Sequence, residues 1–511
     1  MAYNNKSHKS YGIITVVLMS MCLFEAMHYT QAVHASADTL FNFDWLNHGG
    51  DLNNRRYASE EVLINPSTVK KLRLRWKFYA VNAFSGALIW KKNLGELTGL
   101  NGTGIIVNVT VSRTTPAIAG GLLIVGIYGP AVVIAVTRSN GRLLWYTQPD
   151  SRSRAQITMS GTVYLGLSDG RCSYYDAISV FLAGFYVGVS SLEEALPAEQ
   201  CCSFRGSFAK LDVRTGRVIW RTYMLPDNGG KLGGYSGAAI WGSSPAIDVK
   251  RRRFYIGTGN LYIAPPDVLR CQELQNNQTT PPTKPDRQLG GYDVFYFACL
   301  VPNKPDCPPG PNIDADFGEA PMLLSIYVNK TIHDVAVAVQ KSGFVWALDR
   351  DNGDIVWFKL AGPGGKEGGG LGGAATDGKR VYTNIANSDR VSFPLAPSTQ
   401  RTTAGAWVAL DASTGEIVWS TANPSNDTAQ APVTLENNLL FAGSVSPNGP
   451  LYTMDANTGK IIWSYDTNTT IYGGASAGYG CIYLGNGYTE SLAKFHPDWT
   501  PGTSLHAFCI W

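Results

Sequence analysis

Apolar and polar residues alternate in short runs along most of this chain, and the runs are closed by glycine, proline or acidic residues. That period predicts half-buried strands joined by tight turns. Superimposed on it is a longer repeat. Six times a small residue, a polar residue, a glycine and a tryptophan recur at one spacing, best in Ala347-x-Asp349-x3-Gly353-x3-Trp357 and Ala409-x-Asp411-x3-Gly415-x3-Trp419. Weaker copies end at Trp90, Trp145, Trp220 and Trp463, with Asn82 or Thr137 at the acidic position of the first two. The small residue ends one strand, the acidic residue and glycine make the turn, and the tryptophan enters the next strand, where its ring can be buried against a neighbouring unit.

Between these motifs lie seven shorter hairpin-like segments, beginning near Pro116, Gln156, Pro245, Pro321, Gly373, Pro432 and Gly474. Each supplies the inner two strands of a four-stranded sheet and each tryptophan motif the outer two, which is a β-propeller blade. The last segment is followed by a single strand at 504–510. The stretch 72–78, with Trp76, can pair with it and close the ring from both termini, removing the open edges. Two irregularities interrupt the count. The blade ending at Trp90 has no room for inner strands after Trp76, and the inner hairpin at Pro245 has lost its outer strands near residues 284–288. The expectation is an all-β, eight-bladed propeller incomplete at two blades; irregular loops in place of those strands are the alternative.

Composition narrows the setting. Fifty-five glycines and 27 prolines suit many short strands, and a net charge of +3 without a dominant basic face argues against nucleic acid as a partner. Lys6 and Lys9 precede an apolar stretch from Tyr11 to Phe24, and Ala35-Ser36-Ala37 offers a cleavage site. Residues 1–37 are therefore read as a signal peptide and 38–511 as one propeller domain, secreted to the cell wall or apoplast, or to a vacuole, with no membrane attachment after cleavage. Six sequons, at Asn101, Asn108, Asn277, Asn329, Asn426 and Asn468, fit a glycoprotein. Removing Cys22 leaves eight cysteines, an even number that suits disulfides in an oxidising compartment. Cys481 and Cys509 fall on adjacent strands and can bridge if they come opposite in register. Cys201 and Cys202 can join each other or pair elsewhere, for example with Cys172.

The tryptophan motifs resemble the docking repeats of quinoprotein alcohol dehydrogenases, which carry pyrroloquinoline quinone (PQQ) at the hub of an eight-bladed propeller. The flavour is similar to the polyvinyl-alcohol-dehydrogenase-like proteins of plants. Asp44 to Asp51, followed by Asn54 to Tyr57, resembles that family's N-terminal strap. The resemblance implies that Trp241 is the indole on which PQQ stacks, Lys341 the cation beside its quinone oxygens, and Arg205 the partner of its carboxylates. It implies calcium at Glu193 and Asn260, since calcium takes oxygen ligands. Each residue has a plainer reading: a solvated loop for Glu193, a turn for Asn260, hub packing for Trp241, surface charges for Lys341 and Arg205. The family's catalytic aspartate belongs to the docking motif that is missing here. Asp286 and Asp293 stand in the wrong context, and Asp314 and Asp316 are read as lining the mouth, so the catalytic residue is unknown.

The implied activity is oxidation of a small or polymeric alcohol, impaired in this chain, with electrons passing to a separate acceptor because no Cys-x-x-Cys-His haem motif is present. Two rival readings stand beside it. One is a non-catalytic propeller that binds a polysaccharide, a phenolic compound or a protein; the other is an enzyme that uses the same funnel without PQQ.

Overall fold

The computed structural model describes residues 110–164, 183–242, 244–267, 315–365 and 367–488, most of 45–101 and 491–510, and a few isolated positions. The signal region, Trp76, Asn108, Asn277, Asp286, Asp293 and Asp314 lie outside the described residues. No helix among the described residues is long and apolar enough to cross a membrane.

Six complete blades stand among the described residues, an all-β propeller. Three examples show their build. Ala117–Ala119, Leu122–Ile127, Val132–Thr137 and Leu143–Thr147 form one blade; Met322–Val328, Thr331–Val339, Phe344–Asp349 and Ile355–Leu360 form another; Thr434–Glu436, Leu439–Gly443, Pro450–Asp455 and Ile461–Asp466 form a third. The eight blades expected from the repeats are not reached. Four two-stranded sheets also occur among the described residues, and two of them stand where the blades were expected to be incomplete: Ala80–Val81 with Leu88–Trp90, and Ala246–Asp248 with Arg253–Tyr255. Ring closure comes from both termini: Arg73 pairs with Cys509 and Leu74 with Phe508. Cys481 and Cys509 do come opposite one another and are disulfide-bonded.

The repeat has a packing mechanism. In five of the motifs a small residue pairs across the strands with the tryptophan, as Ala347 with Trp357 and Ala409 with Trp419, while Lys210 takes that place opposite Trp220, and in each a bulge follows directly. The bulge turns the ring toward the next blade. There its Nε1 donates to a backbone carbonyl: Trp90 to Arg138 at 2.7 Å, Trp145 to Val213 at 3.0 Å, Trp357 to Ala412 and Trp419 to Ala456 at 2.9 Å. The glycine of the receiving motif lies under the ring. Gly141, Gly216, Gly415 and Gly459 hold φ between 66° and 74°, and a Cβ on any of them would come within 2.8 Å of the docked indole. Glycine is required there both for its backbone conformation and for the space it leaves.

A strap crosses the innermost strands of successive units. Leu52 O accepts from Ile247 N, Asn53 O from Leu323 N, Arg55 O from Thr376 N and Arg56 O from Leu435 N, at 2.8–3.0 Å. It brings Trp45, His48 and Arg56 to the axis.

Candidate functional site

At the axis lies a cavity of about 660 Å³. The strap residues Trp45, His48 and Arg56 line it, together with Arg113, Thr158, Trp241, Gly318, Gln430, Tyr472 and Tyr488 from loops between strands. Burial and the neighbouring Arg56 push the His48 pKa down to about 3, so the imidazole is neutral. Arg56 donates to the carbonyls of His48, Val433 and Ala475 and to the Thr434 hydroxyl, at 2.5–3.1 Å. Burial lowers its pKa to about 10 against the opposing pull of Glu319, whose own carboxyl is pushed up to about 8 by burial.

The chemically richest corner forms around Asp316. Its Oδ2 accepts from Trp241 Nε1 at 2.8 Å and stands 3.8 Å from Lys341 Nζ, while its Oδ1 accepts from Asn260 N at 2.6 Å. The Lys341 ammonium also lies 5.4 Å from the centre of the Trp241 ring. Asp316 and Lys341 are 6% and 7% exposed. Removing one partner of a charge pair this deep would leave the other buried without its counter-charge. The indole of Trp241 is held in place from several sides. Its backbone carbonyl accepts from Thr158 Oγ1 at 2.8 Å, and a Cβ on Gly318 or Gly259 would come within 2.9 and 3.2 Å of the ring. Trp241 lines the cavity.

The remaining expected site residues divide. Glu193 is buried, and its Oε2 accepts from Ser203 N at 2.7 Å and Phe204 N at 2.8 Å, capping the loop that carries the Cys201–Cys202 disulfide. Tyr262 donates to Ser191 O at 3.1 Å, so the segments carrying Asn260 and Glu193 are neighbours. The Asn260 side chain donates to Leu261 O at 2.8 Å. No group of three His, Cys, Asp or Glu suited to a metal occurs among the described residues. Arg205 does not line the cavity. It stacks on Tyr223 with its guanidinium carbon 4.1 Å from the ring centre and pairs with Asp227 at 2.7 Å. Trp241, Lys341 and Asn260 thus converge, Glu193 stands nearby, and Arg205 faces elsewhere.

Two residues of the hub escaped the sequence reading. Asp316, expected at the mouth, is buried at the centre. Arg113 was not singled out at all, yet it lines the cavity between Tyr128 and Tyr488, whose ring centres lie 5.6 and 5.7 Å from its guanidinium. Burial works to lower its pKa, and Tyr488, Tyr472 and Tyr128 outweigh it, so the group stands above the ordinary arginine value. A positional signal was present. The residues just before the proline that opens an inner strand face the hub: Arg113 before Pro116, Trp241 before Pro245, Asp316 and Gly318 before Pro321, Gln430 before Pro432.

A family model described as outer membrane protein assembly factor BamB matches residues 75–179 and 341–486. Among relatives, the polyvinylalcohol dehydrogenase of Sphingopyxis sp. (strain 113P3) is 28% identical over 428 residues, covering 74% of this chain and 59% of the relative. The polyvinylalcohol dehydrogenase of a Pseudomonas sp. is 26% identical over 386 residues, covering 67% and 55%. Quinohemoprotein alcohol dehydrogenase ADH IIB of Pseudomonas putida is 23% identical, covering 61% and 46%. The chain therefore spans roughly half to three-fifths of the length of these relatives. Among solved structures, the quinohemoprotein alcohol dehydrogenase from Comamonas testosteroni superposes with a TM-score of 0.63 at 17% identity, covering 93% of this chain and 81% of that one. A europium-containing methanol dehydrogenase gives 0.60 at 16%, covering 91% and 98%. By fold, this chain is an all-β propeller of the type found in those dehydrogenases.

Proposed function

We propose that this protein is a quinoprotein-dehydrogenase-like oxidoreductase that oxidises an alcohol at the propeller hub. One observation carries the reading: a flat indole at the cavity wall, a buried ammonium and a buried carboxylate meet within a few ångströms at Trp241, Lys341 and Asp316. PQQ fits the residues present. Its planar rings suit the Trp241 face between Gly259 and Gly318, and its anionic groups suit Arg113 and Lys341. When bound, PQQ supplies a two-electron acceptor. The chain's own part is acid–base and electrostatic. Asp316 takes the hydroxyl proton of the alcohol as the carbinol C–H leaves with its electron pair, yielding the carbonyl product. Lys341, 3.8 Å from Asp316, offers positive charge where negative charge develops. Asp316 gives the hub the carboxylate that the docking motif lacks, so the proposal is an active enzyme. Electrons then pass to a separate acceptor.

Glu193 and Asn260 would hold calcium, with Glu193 also capping its loop. Calcium should raise the melting temperature and Glu193→Gln should abolish that rise. We further propose that the two isolated hairpins mark two reduced blades of an eight-bladed design. Residues 38–511 would form one secreted domain, glycosylated at the exposed Asn101, Asn329, Asn426 and Asn468 and at Asn108 and Asn277. The test is titration with PQQ, followed by quenching of tryptophan fluorescence, and then alcohol-dependent dye reduction. Asp316→Asn should bind PQQ as the wild type does and lose about 10²–10⁴-fold in kcat. Absence of PQQ binding in the wild-type chain would end this reading in favour of a binding module.

A further inference from the structure

We propose that the glycine-rich loop spanning residues 362–372 is a clamp that fixes Lys341, with Gly368 and Gly369 as its positioning residues; the inference rests on the hub reading above. Lys341 sits in the turn between Thr331–Val339 and Phe344–Asp349. On one side its backbone N donates to Asp316 O at 2.9 Å; on the other its carbonyl accepts from Gly369 N at 2.5 Å. Gly370 N donates to Gln340 O at 3.2 Å, and Ala361 N to Gly343 O at 2.9 Å. The loop is therefore tied to the Lys341 turn just before it begins, at Ala361, and again at Gly369 and Gly370.

No side chain fits between the two. Gly368 has φ 84°, and a Cβ there would stand 2.8 Å from Lys341 Cγ; one on Gly369 would run into the backbone of Gly343, and one on Gly364 would lie 2.7 Å from Ser342 O. The far side of the loop is anchored as well. Glu367 takes His496 Nε2 at 2.7 Å and Gln430 Nε2 at 2.6 Å. A lysine side chain is long and has many rotamers, so a buried ammonium keeps one position only if its stem is gripped. The glycines grip it. Their sequence looks like a flexible linker, but their contacts make a rigid wall.

Two measurements test this, the first without any cofactor. In the unloaded full chain, Lys341 labelling by acetic anhydride is followed by peptide mass spectrometry. Gly368→Ala and Gly369→Ala should each raise its rate by about fivefold or more, because loss of packing increases the open population. Gly378→Ala is the control: that glycine also has positive φ, at 83°, but no atom lies near its would-be Cβ. It should cost folding stability and leave Lys341 protected. Equal labelling in wild type and folded Gly368→Ala, or a rise in Gly378→Ala as well, overturns the clamp.

The second measurement is PQQ affinity by fluorescence quenching in a double-mutant cycle. Gly368→Ala should weaken binding about tenfold alone and change it by less than about twofold once Lys341 is already alanine. A full additive loss in that background would mean the glycine acts on the fold rather than through the lysine. If the wild-type chain binds no PQQ, the functional reading fails, while the labelling experiment still decides the clamp.

Discussion

Two kinds of blade junction coexist in this ring. At the first kind, as where Trp357 meets the following blade, the indole lies on Gly415, its N–H is bonded to Ala412 O, and it is 9% exposed. The second kind surrounds the hairpin Ala246–Tyr255. The preceding blade ends in Trp220, which is 37% exposed and, among the described residues, lies near the rings of Tyr186, Phe208 and Phe254. The following blade offers Gly353, with φ 78° and nothing within 4 Å of its would-be Cβ, a dock without a ring.

What replaces the ring is charge. Arg350 O, placed as the indole acceptors are in the other motifs, takes the Tyr255 hydroxyl at 3.0 Å and the Arg253 guanidinium instead. Arg251 pairs with Asp248, Asp334 and Asp351 at 2.6–3.1 Å, and Arg350 with Asp248 and Asp334 at 2.9–3.2 Å. A two-stranded hairpin cannot present a broad apolar face, so it is tied to its neighbour by ion pairs and to the strap by the Ile247–Leu52 bond. Apolar docking is indifferent to salt and pH; the substitute is sensitive to both.

The largest expected difference is in packing. Trp357→Ala should cost about 3–5 kcal/mol in denaturant unfolding, and Trp220→Ala less, about 1–3 kcal/mol, because more of the second ring is already exposed. Equal losses would mean the Trp220 junction is as well packed as the others.

A contrast in carboxyl groups comes next. Glu436, in the inner strand Thr434–Glu436, is buried with neither oxygen hydrogen-bonded, and burial with the nearby Glu61 pushes its pKa up to about 10. Its folded pKa exceeds the unfolded value, so its contribution is intact below about pH 4.5 and is lost as pH rises toward 10. Glu436→Gln should therefore stabilise the chain at pH 8 by roughly 1–3 kcal/mol and flatten the alkaline fall in melting temperature.

Asp334 behaves in the opposite sense. The Ser325 hydroxyl, then Arg251 and Arg350, hold its pKa down at about 2. The hairpin junction should thus loosen as pH falls from about 4 toward 2, seen as faster amide exchange in Ala246–Asp248 before the fully docked blades open. The smallest effect is ionic. Arg251→Ala should lower the melting temperature modestly, and less so in high salt, whereas Trp419→Ala should show no such salt dependence.

The spacing of small residue, turn and tryptophan was enough to specify propeller blades, because each blade is a local unit whose turn chemistry and strand period lie within a few dozen residues. The strand pattern also put Cys481 and Cys509 on adjacent strands, whereas the roles of Trp241 and Lys341 were implied only by the family resemblance. The number of complete blades and the fate of Trp220 were not local properties. They depend on which glycine the ring meets in another blade, and the Arg251 and Arg350 network joins residues a hundred positions apart. The hub followed the same division. Asp316, Arg113 and the Lys341 clamp arise where loops from different blades converge on one axis. Burial then separates the carboxylate at the hub, Asp316, from an exposed one such as Asp227, which only pairs with the buried Arg205.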